Sequence, residues 1–282
     1  MTNSTTLNQR IRHFYDRSTA IWLDTWGEHM HHGYYGRDGS QEKDHQQAQI
    51  DLIREILQWS GVEGAARILD AGCGVGGSAR FLAKALNAEV LGLTLSPVQA
   101  ERAEAFNRAA GLEGRVRVEV QDVLIFDPAQ GPFDLIWSLE SAEHMPDKHR
   151  LLQVFYDALR PGGRLVLVTW CQREAPPVLD KNESRLLEKV QEYYHLPPLI
   201  SIGHYERIAR DVGFEGIQTA DWTDAVAPFW PAVVRSAMTW RSLGGLLRSG
   251  LSTVRGAWAM RFMMQGYRTG ALRFGLLQAV KP

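Results

Sequence analysis

A chain of 282 residues that is 45% apolar can bury a full core, and one large domain carrying insertions is the natural expectation. A net charge of −1 argues against a general nucleic-acid binder, which carries a basic excess. Two cysteines, Cys73 and Cys171, are too few and too dispersed for a disulfide framework or a zinc site, so a reducing, cytoplasmic setting is expected.

The stretch Met1 to Gln9 is polar and lacks the apolar run of a signal peptide, and nowhere does the chain reach the roughly 18 uninterrupted apolar residues of a membrane span. Charge is unevenly placed. After Asp224 there is no acidic residue, while Arg235, Arg241, Arg248, Arg255, Arg261, Arg268, Arg273 and Lys281 give the tail about +8.

Taken in order, residues 7–35 concentrate rings: His13, Phe14, Tyr15, Trp22, Trp26, His29, His31, His32, Tyr34 and Tyr35. They read as a cap, residues 1–47, whose aromatics either close over a pocket or pack on the domain surface. The three histidines lack a carboxylate at ligand spacing, so no metal is expected. Leu52, Ile53, Ile56 and Leu57 form a helical stripe within 48–59. Then comes the run Ile68-Leu-Asp-Ala-Gly-Cys-Gly-Val-Gly-Gly77, an apolar strand entering a glycine turn that opens a helix. Such a turn lets backbone N–H groups approach a nucleotide-like ligand, although a tight structural turn would look the same.

Residues 79–86 read as a helix and 89–95 as the second strand. An acidic residue about 20 positions past the first strand grips ribose in dinucleotide enzymes; here Thr94, Leu95 and Ser96 stand there, with Gln99 a turn later. That departure weighs against a nicotinamide oxidoreductase. Residues 97–110 form the next helix and 115–120 the third strand, which ends at Asp122 and Val123, where a carboxylate and a backbone N–H could meet an adenine or cap a turn. Residues 133–139 form the fourth strand and lead to Glu140-Ser-Ala-Glu-His-Met-Pro146. Ligands sit at the carboxyl edge of an open parallel sheet, which makes Ser138, Glu140, Glu143 and His144 the catalytic shortlist. A helix over 148–159, a tight turn at Arg160-Pro-Gly-Gly163 and a fifth strand over 164–170 complete a Rossmann-like doubly wound α/β pattern. Two insertions follow, at about 172–200 and 223–270, interrupted by a helix over 201–212 and a sixth strand over 216–222. The seventh strand runs over 272–280. The second insertion is rich in Trp, Phe and Met, which suits a greasy ligand or ordinary packing on the sheet.

Asp70-Ala-Gly-Cys-Gly-Val-Gly76, the acid at Asp122 and Leu159-Arg-Pro-Gly-Gly-Arg164 resemble the class I S-adenosylmethionine-dependent methyltransferases. Trp26-Gly-Glu-His-Met-His-His-Gly-Tyr-Tyr35, Gly92-Leu-Thr-Leu-Ser-Pro-Val-Gln-Ala100, Glu140-Ser-Ala-Glu-His-Met-Pro-Asp-Lys148, Val226-Ala-Pro-Phe-Trp-Pro231 and Gly266-Tyr-Arg-Thr-Gly-Ala-Leu-Arg-Phe274 resemble the gamma-tocopherol methyltransferase family. The resemblance covers nearly the whole chain. It implies a methyltransferase domain over 48–282 with a seven-stranded sheet, and S-adenosyl-L-methionine as cofactor. Its methionine part would lie along Asp70, Gly72 and Gly74, its ribose at Thr94, Leu95 and Gln99, and its adenine at Asp122 and Val123. Ser138 and Glu143 would lie beside the sulfonium, with Tyr34 or Tyr35 closing over it by cation–π attraction. Plant relatives carry a transit peptide not seen here, which points to a bacterial or mature chain.

The resemblance implies a hydrophobic aromatic acceptor: a prenylated phenol methylated on ring carbon, or an alkaloid amine. A phenol becomes nucleophilic on losing its proton, and His144, Glu140, His31 and His32 are the candidate bases. A cofactor-binding protein without catalysis is the remaining alternative, against which the complete acidic and glycine set speaks. The spaced arginines of the second insertion read as a solvated face or as a basic surface in peripheral contact with anionic lipid.

Overall fold

The computed structural model describes residues 2–237 and 260–282. Seven strands form one sheet: β1 (Arg67–Ala71), β2 (Glu89–Thr94), β3 (Val116–Val120), β4 (Phe133–Leu139), β5 (Leu159–Gln172), β6 (Glu215–Asp221) and β7 (Leu272–Val280). Their order is β3-β2-β1-β4-β5-β7-β6, with β7 alone antiparallel to its neighbours. Inner strands alternate between two apolar layers. Ile68, Leu135, Trp137, Val166 and Val168 face one, and Leu69, Ala71, Ile136, Leu165 and Leu167 the other.

Helices supply the other half of each layer. α2 (His45–Ser60) and α3 (Gly77–Ala85) bury Leu52, Ile53, Ile56, Leu82 and Ala83 on the first side; α4 (Pro97–Ala109) packs on β3. α5 (Lys148–Ala158) and α7 (Ile202–Val212) cover the second with Leu151, Leu152, Phe155, Tyr205 and Ala209. Side chains fix where several helices begin: Asp44 caps α2, Ser96 caps α4 with Pro97 behind it, and Ser201 caps α7.

The doubly wound expectation therefore holds, with local differences. The Arg160–Gly163 run lies inside β5 instead of preceding it: Leu159 already pairs with Phe133, and Gly162 and Gly163 exchange backbone hydrogen bonds with Lys281. The ring-rich N-terminus is a long helix, α1 (Thr2–Trp26), followed by a loop over 27–35. The first insertion is α6 (Lys181–Tyr194), started by a capping box between Asp180 and Glu183. The second comprises α8 (Thr223–Val226), α9 (Phe229–Ala237) and, among the described residues, a helix over 260–269, here α10. Arg241, Arg248 and Arg255 lie outside the described residues, as do Trp240, Leu246, Leu247 and Trp258.

Candidate active site

Strand order reverses between β1 and β4, so the loops leaving their carboxyl ends diverge and leave a crevice. The two loops touch at its floor. A Cβ on Gly72 would lie 2.2 Å from that of Ser141, and Gly72 has φ +94°, so only glycine fits there. Ser141 in turn donates a hydrogen bond to the Ala71 carbonyl and shares a 3.0 Å contact with Ser138.

The main cavity opens above this floor. Asp70, Gly72, Gly74, Gly77 and Ser78 form one side, and Thr94, Leu95, Ser96 and Gln99 the next. Thr94 Oγ1 bonds Gln99 Oε1 at 2.8 Å, which holds both side chains at the rim of β2. Asp122 and Val123 line an adjoining recess that shares Gly72, Thr94, Leu95, His144 and Met145 with the main cavity. The expected methionine, ribose and adenine residues are thus brought into one continuous hollow.

These residues fit an S-adenosylmethionine-sized ligand. Burial pushes the Asp70 carboxyl up to about 7, partly offset by the Ala79 N–H, and its Oδ2 is buried without a partner. A cationic amino group is the natural complement. Space above Gly74 is open to 4 Å, and α3 starts at Gly77 behind Gly76, an N-cap with no side chain to offer, which leaves the first-turn N–H groups other than that of Ala79 for a ligand carboxylate.

Tyr34 and Tyr35 do not line this hollow. Gly33 lies flush against α2, where a Cβ would meet Ala48 at 2.5 Å, and the chain beyond turns away: the Tyr34 ring packs on Trp222, and Tyr35 is buried with its N–H on Ala225. The tyrosine that lines the cavity is Tyr15 of α1. Ser138 sits behind the wall, and Glu143 faces a second chamber.

That chamber adjoins the first and shares Tyr15, Met30, His31, Glu140 and His144 with it. Its remaining walls are mostly rings. Trp22 and Trp26 stack at 5.1 Å, and Trp26 meets Phe229 and Trp230 edge-on; Trp170 and Tyr194 close the far side. The α1 residues Ile11, Tyr15, Trp22 and Trp26 share one helical face, a spacing readable in the sequence but not singled out there.

The titratable groups at and behind the shared wall differ sharply. Tyr15 Oη lies 2.8 Å from His144 Nε2, with burial keeping the phenol protonated and pushing the imidazole down to about 3. Burial and the Glu140 charge raise Glu143 to about 8, and Thr169 donates to its Oε2 at 2.7 Å. Burial lowers Lys148 to about 8; it donates to the Ala142 and Glu143 carbonyls. Burial favours a neutral Glu140, but the His32 ring and hydrogen bonds outweigh that and hold it below the usual carboxylate range. Among the described residues no cluster of His, Cys, Asp and Glu could hold a metal ion.

A seven-stranded sheet of this order, with a glycine cradle after β1 and the hollow above it, defines a class I methyltransferase fold. Residues 68–163 match the family model described as a methyltransferase domain. The chain is 43% identical over 285 residues to a probable chloroplastic tocopherol O-methyltransferase of Oryza sativa subsp. japonica, covering 98% of this chain and 79% of that one. To the tocopherol O-methyltransferase of Arabidopsis thaliana it is 40% identical, covering 100% and 84%. Among solved structures, a cyclopropane synthase of Mycobacterium tuberculosis superposes with a TM-score of 0.84 at 20% identity, covering 97% and 98%. The chain belongs to the tocopherol O-methyltransferase-like family of S-adenosylmethionine-dependent methyltransferases.

Proposed function

We propose that this methyltransferase acts on a prenylated, tocopherol-like phenol and places the methyl group on ring carbon. The supporting observation is the ring-lined chamber that shares a wall of ionisable groups with the cofactor cavity. Flat aromatic walls suit an aromatic acceptor, and the shared wall offers what a phenol needs, a group to take its proton. The names of the relatives support the same acceptor class.

S-adenosylmethionine, when bound, supplies an electrophilic methyl on a positive sulfur. Asp70 and the start of α3 would hold its amino acid end, Thr94 and Gln99 its ribose, and Asp122 and Val123 its adenine. Tyr15 would offer its ring to the positive charge. The chain's own contribution is then alignment, proton removal and exclusion of water by the cap of residues 1–47 and the insertions at 172–200 and 223–270. Methyl transfer to tocopherols, prenylated quinols and indole amines, with products assigned by NMR, tests the reading. Turnover of the phenols with a new ring-carbon methyl is expected; methylation of amines alone would replace it with the N-methyl reading, and a methoxy product would correct the regiochemistry.

Such an acceptor dissolves in lipid, and the arginine-bearing second insertion suits contact between an otherwise cytoplasmic protein and an anionic membrane surface. Among the described residues no helix is long and apolar enough to cross a membrane. Cosedimentation with anionic liposomes at physiological salt is expected, and failure to sediment would remove the idea.

A further inference from the structure

Two histidines and one acid, His31, His144 and Glu140, share the wall between the cavities, and their hydrogen bonds separate their roles. His31 Nδ1 lies 2.8 Å from the His32 carbonyl, which can only accept, so Nδ1 carries the proton. Its Nε2 is left as a bare lone pair, buried and without a partner, on a ring that faces both cavities. His144 also has a buried nitrogen without a partner, Nδ1, but its Nε2 faces the Tyr15 hydroxyl, which can donate or accept, so no fixed acceptor sets its tautomer as the His32 carbonyl sets that of His31. Glu140 differs more. Its Oε1 accepts the His32 backbone N–H at 2.7 Å, and its Oε2 accepts His32 Nδ1–H at 2.8 Å and the Trp170 indole at 2.9 Å. Three donors hold the carboxylate and saturate its Oε2. It is held there in the left-handed region, at φ +50°, a conformation that costs a non-glycine residue energy and persists only where its surroundings impose it.

The geometry points to a division of labour: His31 Nε2 takes the acceptor's proton, and Glu140 is a positioning residue that clamps His32, by its N–H and its ring, the residue whose carbonyl orients His31. Gln49 secures the same loop from α2 by donating to the carbonyls of His31, at 2.9 Å, and His29. The assignment rests on the phenolic reading of the acceptor. In the step, the phenol O–H bond breaks, an N–H bond forms at Nε2, and the electron pair stays on oxygen and spreads into the ring. After ring methylation the displaced ring hydrogen leaves to solvent as a proton, and His31 returns the borrowed one to oxygen.

The groups facing His31 are Glu140, His32 and His29, Tyr15 from α1, Asp70, and His144 and Glu143 after β4. Burial lowers the basicity of His31 and the Glu140 charge opposes that, so the active neutral form persists below the ordinary imidazole range.

The test uses the full chain, S-adenosylmethionine and a phenol that the wild type methylates. Asparagine keeps a donor for the His32 carbonyl and lacks Nε2. His31→Asn should therefore lower kcat about 10²–10⁴-fold with the cofactor KM within about 3-fold, and the deficit should shrink with phenols already ionised at the assay pH. Glu140→Gln should lower kcat about 10-fold and move the acid limb of the pH–rate profile to lower pH, since the charge that supports His31 is gone. If Glu140→Gln fails to fold, ¹⁵N spectra of histidine-labelled wild type decide the geometry: the Nδ1–H form of His31 is expected, and the Nε2–H form overturns the assignment. A His31→Asn enzyme retaining a third or more of kcat, or a Glu140→Gln enzyme that loses activity with an unmoved limb, would also overturn it. Wild type that methylates only amines would instead defeat the acceptor reading and leave the tautomer measurement standing.

Discussion

The two cavities that share one wall are built in opposite ways. The cofactor side is made of consecutive residues at strand ends, where Asp70 to Ser78 alone supply a carboxylate, a glycine cradle and a helix start. The acceptor side collects single side chains from α1, α6, β5, α9 and the 27–35 loop. Backbone geometry recognises the group common to every such enzyme, while long-range side-chain packing shapes the group peculiar to this one. Substitutions on one side should therefore leave the other unmoved, apart from residues that belong to both.

The largest expected break comes at the floor. Gly72→Ala forces φ +94° on a residue with a Cβ and drives it into Ser141, so cofactor binding should fall more than about 100-fold. Isothermal titration with S-adenosylhomocysteine measures it, and melting should show a loss of about 1–3 kcal/mol. Asp70→Asn separates binding from stability. The folded chain without cofactor keeps a proton on Asp70 up to about pH 7, whereas an unfolded chain releases it near 3.8, so stability contributed there declines as pH rises between those values. At pH 8 the asparagine variant should melt higher, by on the order of 2–4 kcal/mol, while binding cofactor about 10–100-fold more weakly. A variant that gained neither stability nor weakness would show that Asp70 meets no cation.

This contrast also explains what could be read before the structure was known. The strands from Arg67 to Leu139 and their glycine turn were legible because each rests on local pattern: buried apolar runs, Ser96-Pro97 before a helix, Asp122 after a strand. Asp70, Gly72, Gly74, Thr94, Leu95 and Gln99 were singled out by the family resemblance, and the doubly wound sheet brings their strand ends around one cavity. Trp170, Gln49 and the distinct roles of His31 and Glu140 were not legible. Their roles depend on contacts such as His32 with Glu140, 108 positions apart, and no spacing encodes that. Tyr34 and Tyr35 show the same limit from the other direction: their position in a ring-rich segment suggested the pocket, but tight packing of Gly33 on α2 decides where they go.

On the acceptor side, Trp22→Leu removes one of two stacked rings and should raise the acceptor KM about 5–10-fold, with cofactor affinity within about 2-fold. Equal losses for both ligands would break the separation.

The smallest effect is expected where the two halves meet. Asn8 of α1 donates to Asp122 Oδ2 at 2.7 Å, at the recess assigned to adenine, while the same helix carries Tyr15 and Trp22 to the acceptor chamber. A partly exposed hydrogen bond contributes about 0.5–1.5 kcal/mol, so Asn8→Ala can shift either affinity only a few-fold. The signs should differ. Freed from Asn8, Asp122 can turn to an adenine amino group and tighten cofactor binding by up to about 3-fold, whereas a looser α1 raises the acceptor KM by a similar factor. Titration with S-adenosylhomocysteine beside acceptor saturation curves measures both. Opposite shifts would identify α1 as the element through which one cavity senses the other, and weakening of both would make Asn8 a plain strut.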